Sequence, residues 1–227
     1  VQTSADKIYI REPIKENDRL VTIRDDEGNE WEIEKAILRP CIYDVEFEQF
    51  DTPKANTFVI WPYKTVENES TLLTEQQMKD EYPRCWAYLE NNYAKLIKRD
   101  ISGSPGKEWY VYGRSQSLTK FDNTPKLIWP TLSVEPRYAL DNDDIVFTGG
   151  GNGPYYALRP TQANGMSIQY LQGILYHPVI EAMAKDAASE FRGDYYSHGK
   201  QFVENLPIKV INFNDPIEKE LHDKIIY

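Results

Sequence analysis

The sequence predicts an α+β fold with mixed, mainly antiparallel sheets and packed helices. Residues 20 to 34 alternate apolar and polar side chains about a turn-forming segment, as a β-hairpin does. Residues 167 to 227 instead space apolar side chains three or four positions apart, which is typical of helices with one buried face. The chain has 227 residues, 41% of them hydrophobic and 13% aromatic, which is enough for a substantial core. We therefore expect one domain over residues 1–227.

The N-terminal part is predicted to be rich in strands. Leu20 to Arg24 and Glu30 to Glu34 form a hairpin, and its acidic tip, Asp25 to Asn29, is unsuited to phosphate contact. Thr57 to Trp61 and Lys126 to Trp129 each precede a proline, which predicts two strands that end there.

Two helices are predicted between these last strands. Thr74 and Gln77 have the spacing of a capping box, and Pro83 begins the second helix. The apolar face of the second helix, predicted to be core, consists of Trp86, Leu89, Tyr93 and Ile97.

Basic residues follow at the end of this helix. Lys98 and Arg99 either complement the negative helix end or contact DNA phosphates, and both interpretations stay open. Lys107, in the next loop, is a further candidate for phosphate contact. Residues 91–140 hold eight basic and four acidic residues and are the cationic part of the chain.

A polar loop, Gly113 to Lys120, comes after a strand predicted from the alternation of Glu108 to Tyr112. Arg114 offers a guanidinium fork for guanine acceptors, and Gln116 offers an amide for adenine. Ser115 and Lys120 suit phosphates. A solvated polar turn is the alternative interpretation.

The last third of the chain joins two predicted helices to a second polar loop. The two helices, both expected to be half buried, carry apolar faces at Ile168, Leu171 and Leu175 and, beyond Pro178, at Val179, Met183, Ala187 and Phe191. The loop from Arg192 to Lys200 contains two glycines and is expected to turn five candidate DNA-binding side chains outward: Arg192, Tyr195, Tyr196, His198 and Lys200. Val203, Leu206 and Ile208 then return the chain to the core.

A final helix is predicted from Asp215. Asp215 is placed at the N-cap and Pro216 at the first helical position, and Ile217, Leu221 and Ile225 keep helical spacing to the end. We expect this helix to continue past the last residue, so that the chain is a fragment of a longer protein.

Four segments together resemble the TaqI-like C-terminal specificity domain, the target recognition domain of adenine-specific DNA methyltransferases and of fused restriction-modification enzymes. The segments, which occur in the family's order, are Gln2 to Ile10, Trp109 to Arg114, Pro125 to Ile128 and Tyr170 to Leu175. The resemblance implies that Gln2 to Ile10 is a strand and that the two polar loops bind double-stranded DNA. It also implies a methyltransferase domain in the same parent chain.

Charge and cysteine content limit the functional classes. The chain has 26 Lys and Arg against 36 Asp and Glu, a net charge of −10, whereas an isolated nucleic-acid binder is usually basic. A domain tethered to a DNA-binding catalytic partner tolerates an acidic outer face, because the local potential at the contact matters more than the sum. Cys41 and Cys85 lie among apolar residues, which favours buried free thiols and a cytoplasmic location. We expect neither a signal peptide nor a membrane span.

Motifs for catalysis are missing from the sequence. The three histidines lie far apart without cysteine pairs, so a zinc site is not expected. The adenine-methyltransferase motif, Asn or Asp followed by Pro-Pro and an aromatic residue, does not occur, and S-adenosylmethionine is expected to bind elsewhere in the parent protein. Together with the resemblance, the sequence predicts that the chain recognises a specific DNA sequence for a methyltransferase. The sequence leaves open whether a nuclease is fused to that methyltransferase. The alternative is a protein interaction module that docks a partner subunit without reading bases.

Overall fold

The computed structural model describes residues 1–67, 69–101, 108–115, 117–121, 125–148, 153–160 and 166–226. It confirms the α+β class, with small sheets that are antiparallel except for one parallel strand pair within the described residues. Among those residues, no helix is long and apolar enough to cross a membrane. Cys41 and Cys85 are buried free thiols, as expected, and burial raises the pKa of Cys41 to about 12.

The first half of the described chain contains most of the strands. Its elements in chain order are α1 (Asp6–Tyr9), β1 (Ile10–Arg11), β2 (Lys15–Glu16), β3 (Leu20–Arg24), β4 (Glu30–Glu34), β5 (Leu38–Ile42), β6 (Thr57–Ile60), β7 (Tyr63–Val66), β8 (Glu69–Leu72), α2 (Glu75–Glu81), α3 (Pro83–Asn91) and α4 (Tyr93–Leu96).

The second half contains the two longest helices of the described residues. Its elements are β9 (Lys126–Pro130), β10 (Leu132–Ser133), β11 (Ala139–Asp141), β12 (Val146–Phe147), β13 (Tyr155–Leu158), α5 (Ile168–Leu175), α6 (Pro178–Ala187), β14 (Glu190–Phe191), β15 (Tyr195–Ser197), α7 (Lys200–Val203) and α8 (Pro216–Ile226).

The chain divides into two compact units. Unit 1 comprises residues 1–45, 54–122 and 144–150, and unit 2 comprises residues 46–53, 123–143 and 151–227. Unit 1 contains a four-stranded sheet of order β1-β6-β5-β12, in which β12 runs parallel to β5. Both residues of β12 are buried, as a strand in a covered sheet requires.

The predicted hairpin and the first predicted helix are confirmed. Strands β3 and β4 pair in register from Leu20 with Glu34 to Arg24 with Glu30. Thr74 and Gln77 form the capping box of α2. Helix α3 gains a second kind of cap, because the Glu34 carboxylate accepts the main-chain N–H groups of Arg84 and Cys85 at 2.9 Å each.

The predicted apolar face of the second helix is buried only in its first half. Trp86 and Leu89 are core residues, but Tyr93 and Ile97 are exposed. The helix is interrupted at Asn92, whose buried amide donates to the Tyr88 carbonyl, and a short helix restarts at Tyr93. The interruption breaks the continuous helical spacing on which the prediction relied.

Two predicted strands of unit 1 are wrong. Gln2 to Ile10 contains the single helical turn α1, because the Thr3 hydroxyl accepts the Ala5 N–H and donates to Asp6, which bends the chain. Glu108 to Tyr112 forms a turn in which Val111 N–H donates to the Glu108 carbonyl. A strand ladder would require different partners for these main-chain groups.

Unit 2 is built on the sheet β11-β9-β13, which α5 contacts. Leu127 and Trp129 of β9 pack with Ile168, Leu171 and Leu175, so the predicted face of α5 is confirmed. Val203 is buried, and Leu206 and Ile208 pack against the same core, as predicted. Asp215 caps α8 by accepting the Ile217 N–H at 2.8 Å.

The predicted face of α6 is wrong. Helix α6 ends at Ala187, and Phe191 lies on β14. Val179 and Met183 are exposed, whereas Glu181 and Ala184 on the opposite face are buried. The inward face instead carries Ala184 and Ile180, which packs against the core, and the Glu181 carboxylate is tolerated there because it has buried polar partners.

A buried ion pair joins two strands of this sheet. Lys126 of β9 pairs with Asp141 of β11, and their side chains are only 4% and 0% exposed. The Asp141 carboxylate also accepts the Asp143 N–H at 2.8 Å. Removing one member of such a pair leaves the other charge buried without compensation.

We expect Asp141→Asn to lower the free energy of unfolding by about 3–5 kcal/mol, measured by chemical denaturation. The control is Glu220→Gln in the exposed pair Glu220–Lys224, which should change stability little. Equal, small effects for the two substitutions would contradict a structural role for the buried pair.

Candidate nucleic-acid interface

A three-residue turn presents Arg192 at the end of a short hairpin in unit 2. Strands β14 and β15 pair Glu190 with Tyr196 and Phe191 with Tyr195. Gly193 and Asp194 both have positive φ angles, +77° and +62°, a conformation that favours glycine and tolerates aspartate. The turn leaves the Arg192 side chain exposed, and within the described residues its guanidinium has no hydrogen-bond or ion-pair partner.

One face of this hairpin is apolar and open. Phe191 and Tyr195 lie directly opposite each other and are 48% and 38% exposed. Strand β10 extends the sheet on the other side of β15, and Leu132 and Val134 are also exposed there. Two rings beside a free guanidinium form a surface that can contact base faces or thymine methyl groups.

The opposite face of the same small sheet is covered by α6. Tyr196 turns towards α6, where the Lys185 ammonium lies 5.0 Å from the centre of its ring. Lys185 also donates to the Val134 carbonyl at 2.8 Å. Tyr196 is therefore a half-buried packing residue as well as a candidate for contact with DNA.

The predicted outward orientation of His198 is wrong. The imidazole is 1% exposed and lies between Glu181 and Ser133. Nε2 is 3.1 Å from a Glu181 carboxylate oxygen, and Nδ1 is 3.1 Å from the Ser133 hydroxyl. A buried imidazole needs partners for both ring nitrogens, and these two groups supply them together with the Tyr196 carbonyl, 3.2 Å from Nδ1.

Lys200 follows on α7 and is exposed, with its ammonium 3.6 Å from the Glu204 carboxylate. Acidic residues balance the cations around the hairpin, since Lys185, Arg192 and Lys200 are accompanied by Asp186, Glu190 and Asp194. The hairpin therefore offers directional donors and rings, and it supplies little net positive potential.

The second predicted loop, in unit 1, is held by its main chain. Gly113 N–H donates to the Thr3 carbonyl at 3.0 Å, and Arg114 N–H donates to the Gln2 carbonyl at 3.1 Å. A Cβ atom on Gly113 would lie 1.9 Å from the Ser4 hydroxyl, so this close approach requires glycine. The Arg114 side chain is exposed and its guanidinium has no partner among the described residues.

Hydrogen bonds and a buried leucine hold the residues that follow Arg114 in this loop. The Ser115 hydroxyl is 3.3 Å from the Tyr63 hydroxyl, which also accepts the Tyr112 N–H at 2.8 Å. Burial raises the pKa of Tyr63, and either hydroxyl can be the donor in its contact with Ser115. Lys120 is exposed on a short 3-10 turn that Leu118 anchors in the core. Gln116 lies outside the described residues.

Arg99 has a structural role that the sequence left open. Its guanidinium donates to the carbonyls of Thr3, Trp109 and Val111 at 2.7–2.8 Å, and its Nε donates to the Leu96 carbonyl at 3.0 Å. These bonds occupy the donors that a phosphate contact would use. Lys98 is exposed, and Lys107 lies outside the described residues.

No sequence pattern indicated the Ser133–His198–Glu181 cluster. Its members are 65 and 17 residues apart along the chain, and only the fold brings them together. Among the described residues, no three His, Cys, Asp or Glu side chains are grouped so that they could hold a metal ion.

Comparison with known proteins places a restriction-modification enzyme among the relatives of this chain. No protein-family model matches the chain. Over 236 aligned residues the chain is 34% identical to the Type II restriction enzyme and methyltransferase RM.Eco57I of Escherichia coli, and the alignment covers 99% of this chain. The chain spans only 23% of that protein's length. It is therefore homologous to one segment of a restriction enzyme and methyltransferase, and the resemblance to the TaqI-like specificity domain stays a prediction.

Proposed function

We propose that this chain recognises a specific double-stranded DNA sequence on behalf of an adenine-specific methyltransferase in the same protein. The observation that carries the proposal is the hairpin that holds two exposed aromatic rings and an exposed arginine with no partner among the described residues. The homology to a segment of a restriction enzyme and methyltransferase supports it, since such an enzyme must select its site. The TaqI-like specificity domain is the family that we propose for the chain.

The hairpin has dimensions that suit the major groove. Paired strands lie about 4.8 Å apart, and the major groove of B-DNA, about 12 Å wide, admits a two-stranded ribbon. Arg192 at the turn would donate two hydrogen bonds to guanine O6 and N7. Tyr195 and the edge of Tyr196 would contact neighbouring bases or sugars.

The loop from Gly113 to Lys120 is the second proposed reading element. Arg114 stands on a fixed main chain and would contact a base edge. Gln116, two positions later in the sequence, would offer its amide to adenine. Ser115, Lys120, Lys98, Lys107 and Lys200 would contact phosphates, which position a protein on DNA without reading its sequence. We leave His198 and Arg99 out of the proposed contact surface, because their polar atoms are engaged within the protein.

The negative charge of the chain shapes the proposal. A net charge of −10 opposes non-specific attraction to DNA, so the remainder of the parent protein would supply much of that attraction. The methyl donor, S-adenosylmethionine, and the methylating residues would also belong to that remainder. Such an enzyme would work in the cytoplasm, with or without a fused nuclease.

A protein interaction module is the second candidate. It is favoured by α8, where Ile217, Leu221 and Ile225 form an exposed apolar stripe. A stripe of this kind fits a protein surface better than it fits DNA. Binding of duplex DNA that weakens steeply with salt would argue against this candidate, because a docking module releases no counterions from DNA.

We expect Arg192→Ala, in the full-length enzyme, to relax the preference at one base pair by about 1–3 kcal/mol while non-specific DNA binding stays near its original level. The measurement is methylation of a library of duplexes that differ by single base pairs in the site. Arg192→Lys is the matched control: it keeps the charge but loses the two-pronged donor, so it should also relax the preference. If Arg192→Lys kept the original base preference, Arg192 would contact a phosphate and not a base.

The same library tests Arg114 separately. Arg114→Ala should relax a different base pair from the one that Arg192 reads, since each guanidinium reaches one or two base edges. An unchanged ranking of the duplexes, with a lower overall rate, would move Arg114 from base reading to backbone positioning.

A salt titration tests the proposed phosphate contacts. Replacing Lys98 and Lys107 by alanine should weaken binding to all duplexes alike and reduce the slope of log affinity against log salt by about 0.9 per lost contact. The control is Lys224→Ala on α8, which removes one positive charge, as the replacement of each single lysine does, but removes it from an ion pair. It should leave the slope unchanged. Equal slopes for all variants would show that Lys98 and Lys107 do not touch DNA.

A further inference from the structure

We propose that Glu181, His198 and Ser133 form a positioning bridge that holds the Arg192 hairpin in its reading orientation. The bridge is defined as these three buried side chains. The role of that orientation in reading DNA rests on the proposed function. The restraint of the hairpin itself can be tested without DNA.

The main chain of His198 is fixed at the base of the hairpin. His198 directly follows β15, the second hairpin strand. Its N–H donates to the Thr131 carbonyl at 2.7 Å, and its carbonyl accepts the Trp129 indole N–H at 2.7 Å. Trp129 is a core residue of β9, so the end of the hairpin is attached to the central sheet of unit 2.

The side chain of His198 then connects three separate elements. Its Nε2 faces both carboxylate oxygens of Glu181 on α6, at 3.1 and 3.2 Å. Its Nδ1 lies 3.1 Å from the Ser133 hydroxyl on β10. All three side chains are nearly or fully buried, with Glu181, the most exposed residue, at 9%.

These contacts determine one proton position in the bridge. The Glu181 carboxylate can only accept, so Nε2 carries a proton and donates it to Glu181. Nδ1 lies 3.1 Å from the Ser133 hydroxyl and 3.2 Å from the Tyr196 carbonyl, so it either accepts the Ser133 hydroxyl proton or donates to the Tyr196 carbonyl. Both ring nitrogens and the carboxylate are then satisfied, and the bond to the carboxylate is charge-assisted. Removing one partner leaves a buried polar atom without its bond, so the ring loses its defined orientation.

Glu181 organises a second contact to the hairpin through Lys185. The Lys185 ammonium is 3.4 Å from a Glu181 oxygen and lies over the ring of Tyr196. Tyr196 pairs with Glu190 across the hairpin, four residues from Arg192. One carboxylate thus fixes both the end of β15 and the covered face of the hairpin. A reading side chain must be held to about 0.5 Å to keep its hydrogen bonds, which such a restraint provides.

The order serine, histidine, glutamate also suggests a nucleophilic triad, and burial argues against it. Ser133 is 3% exposed and His198 is 1% exposed, so no substrate can reach the hydroxyl in this conformation. A nucleophilic serine must be open to the atom that it attacks. The cluster therefore fits positioning rather than catalysis.

The test uses four substitutions in the full-length protein. His198→Asn places an amide near the position of Nδ1, so it keeps the link to Ser133 and breaks the link to Glu181. His198→Gln places an amide near the position of Nε2, so it keeps the link to Glu181 and breaks the link to Ser133. Glu181→Gln keeps an oxygen acceptor for Nε2–H and is the conservative variant. Asp186→Asn, an exposed carboxylate on the same helix, is the control for charge.

Hydrogen exchange at the amides of Tyr195 and Tyr196 tests the restraint itself. We expect exchange in His198→Asn to be at least about tenfold faster than in the Asp186→Asn control, with β9 and β11 amides unchanged. Glu181→Gln should recover most of the protection. Unchanged exchange in His198→Asn, or equal acceleration throughout unit 2, would overturn the inference whatever the protein does to DNA.

The duplex library then separates this inference from the proposed function. His198→Asn should relax the same base pair as Arg192→Ala, by about tenfold, and His198→Gln should have a smaller effect. If Arg192→Ala relaxes a base pair and His198→Asn only lowers the overall rate, the bridge is structural and the proposed function stands. If Arg192→Ala leaves every preference intact, the hairpin does not read bases, and the proposed function fails at this site together with the role of the bridge in it.

Discussion

A buried polar group must find partners inside the protein, and this constraint shapes both loops that present exposed arginines. In unit 1 the Arg99 guanidinium donates to four main-chain carbonyls and so fixes the segments on either side of it. In unit 2 the His198 imidazole does the same for the hairpin through Glu181 and Ser133. Each loop therefore consists of an internal polar anchor and an exposed guanidinium, Arg114 or Arg192.

Because internal hydrogen bonds hold the main chain, irregular segments can present a side chain in a fixed geometry. Few regular hydrogen bonds restrain residues 108–115, yet the main chain there is held by Arg99 and by the Thr3 carbonyl. The three-residue turn at Arg192 is similarly short, and its strands have only two paired positions between them. Isolated two-stranded hairpins are marginally stable in water, so the hairpin depends on β10 and on the bridge behind it.

The sequence predicted the elements that depend on local rules. The hairpin of β3 and β4, the capping box at Thr74, and the cap of α8 at Asp215 each follow from patterns within a few residues, and each is confirmed. Predictions that relied on apolar spacing alone were weaker. Val179 and Met183 are exposed, and the buried face of α6 includes Glu181, whose partners come from distant segments of the chain.

In the candidate site too, the sequence predicted only those features that depend on neighbouring residues. Sequence reasoning found Arg114 and Arg192 because glycine turns and arginines are visible in the chain. It assigned His198 to the surface, since the partners that bury this ring lie 17 and 65 residues away. It could not choose between a helix-end and a phosphate role for Arg99, whose carbonyl partners are likewise set by the tertiary fold.

The most direct measurement is a structure of the full-length protein bound to a duplex that contains its site. We predict that the hairpin lies in the major groove with the Arg192 guanidinium about 3 Å from guanine O6 and N7, and that His198 remains buried against Glu181. A complex in which Arg192 faces solvent or another part of the protein, and in which the hairpin touches no base, would contradict it.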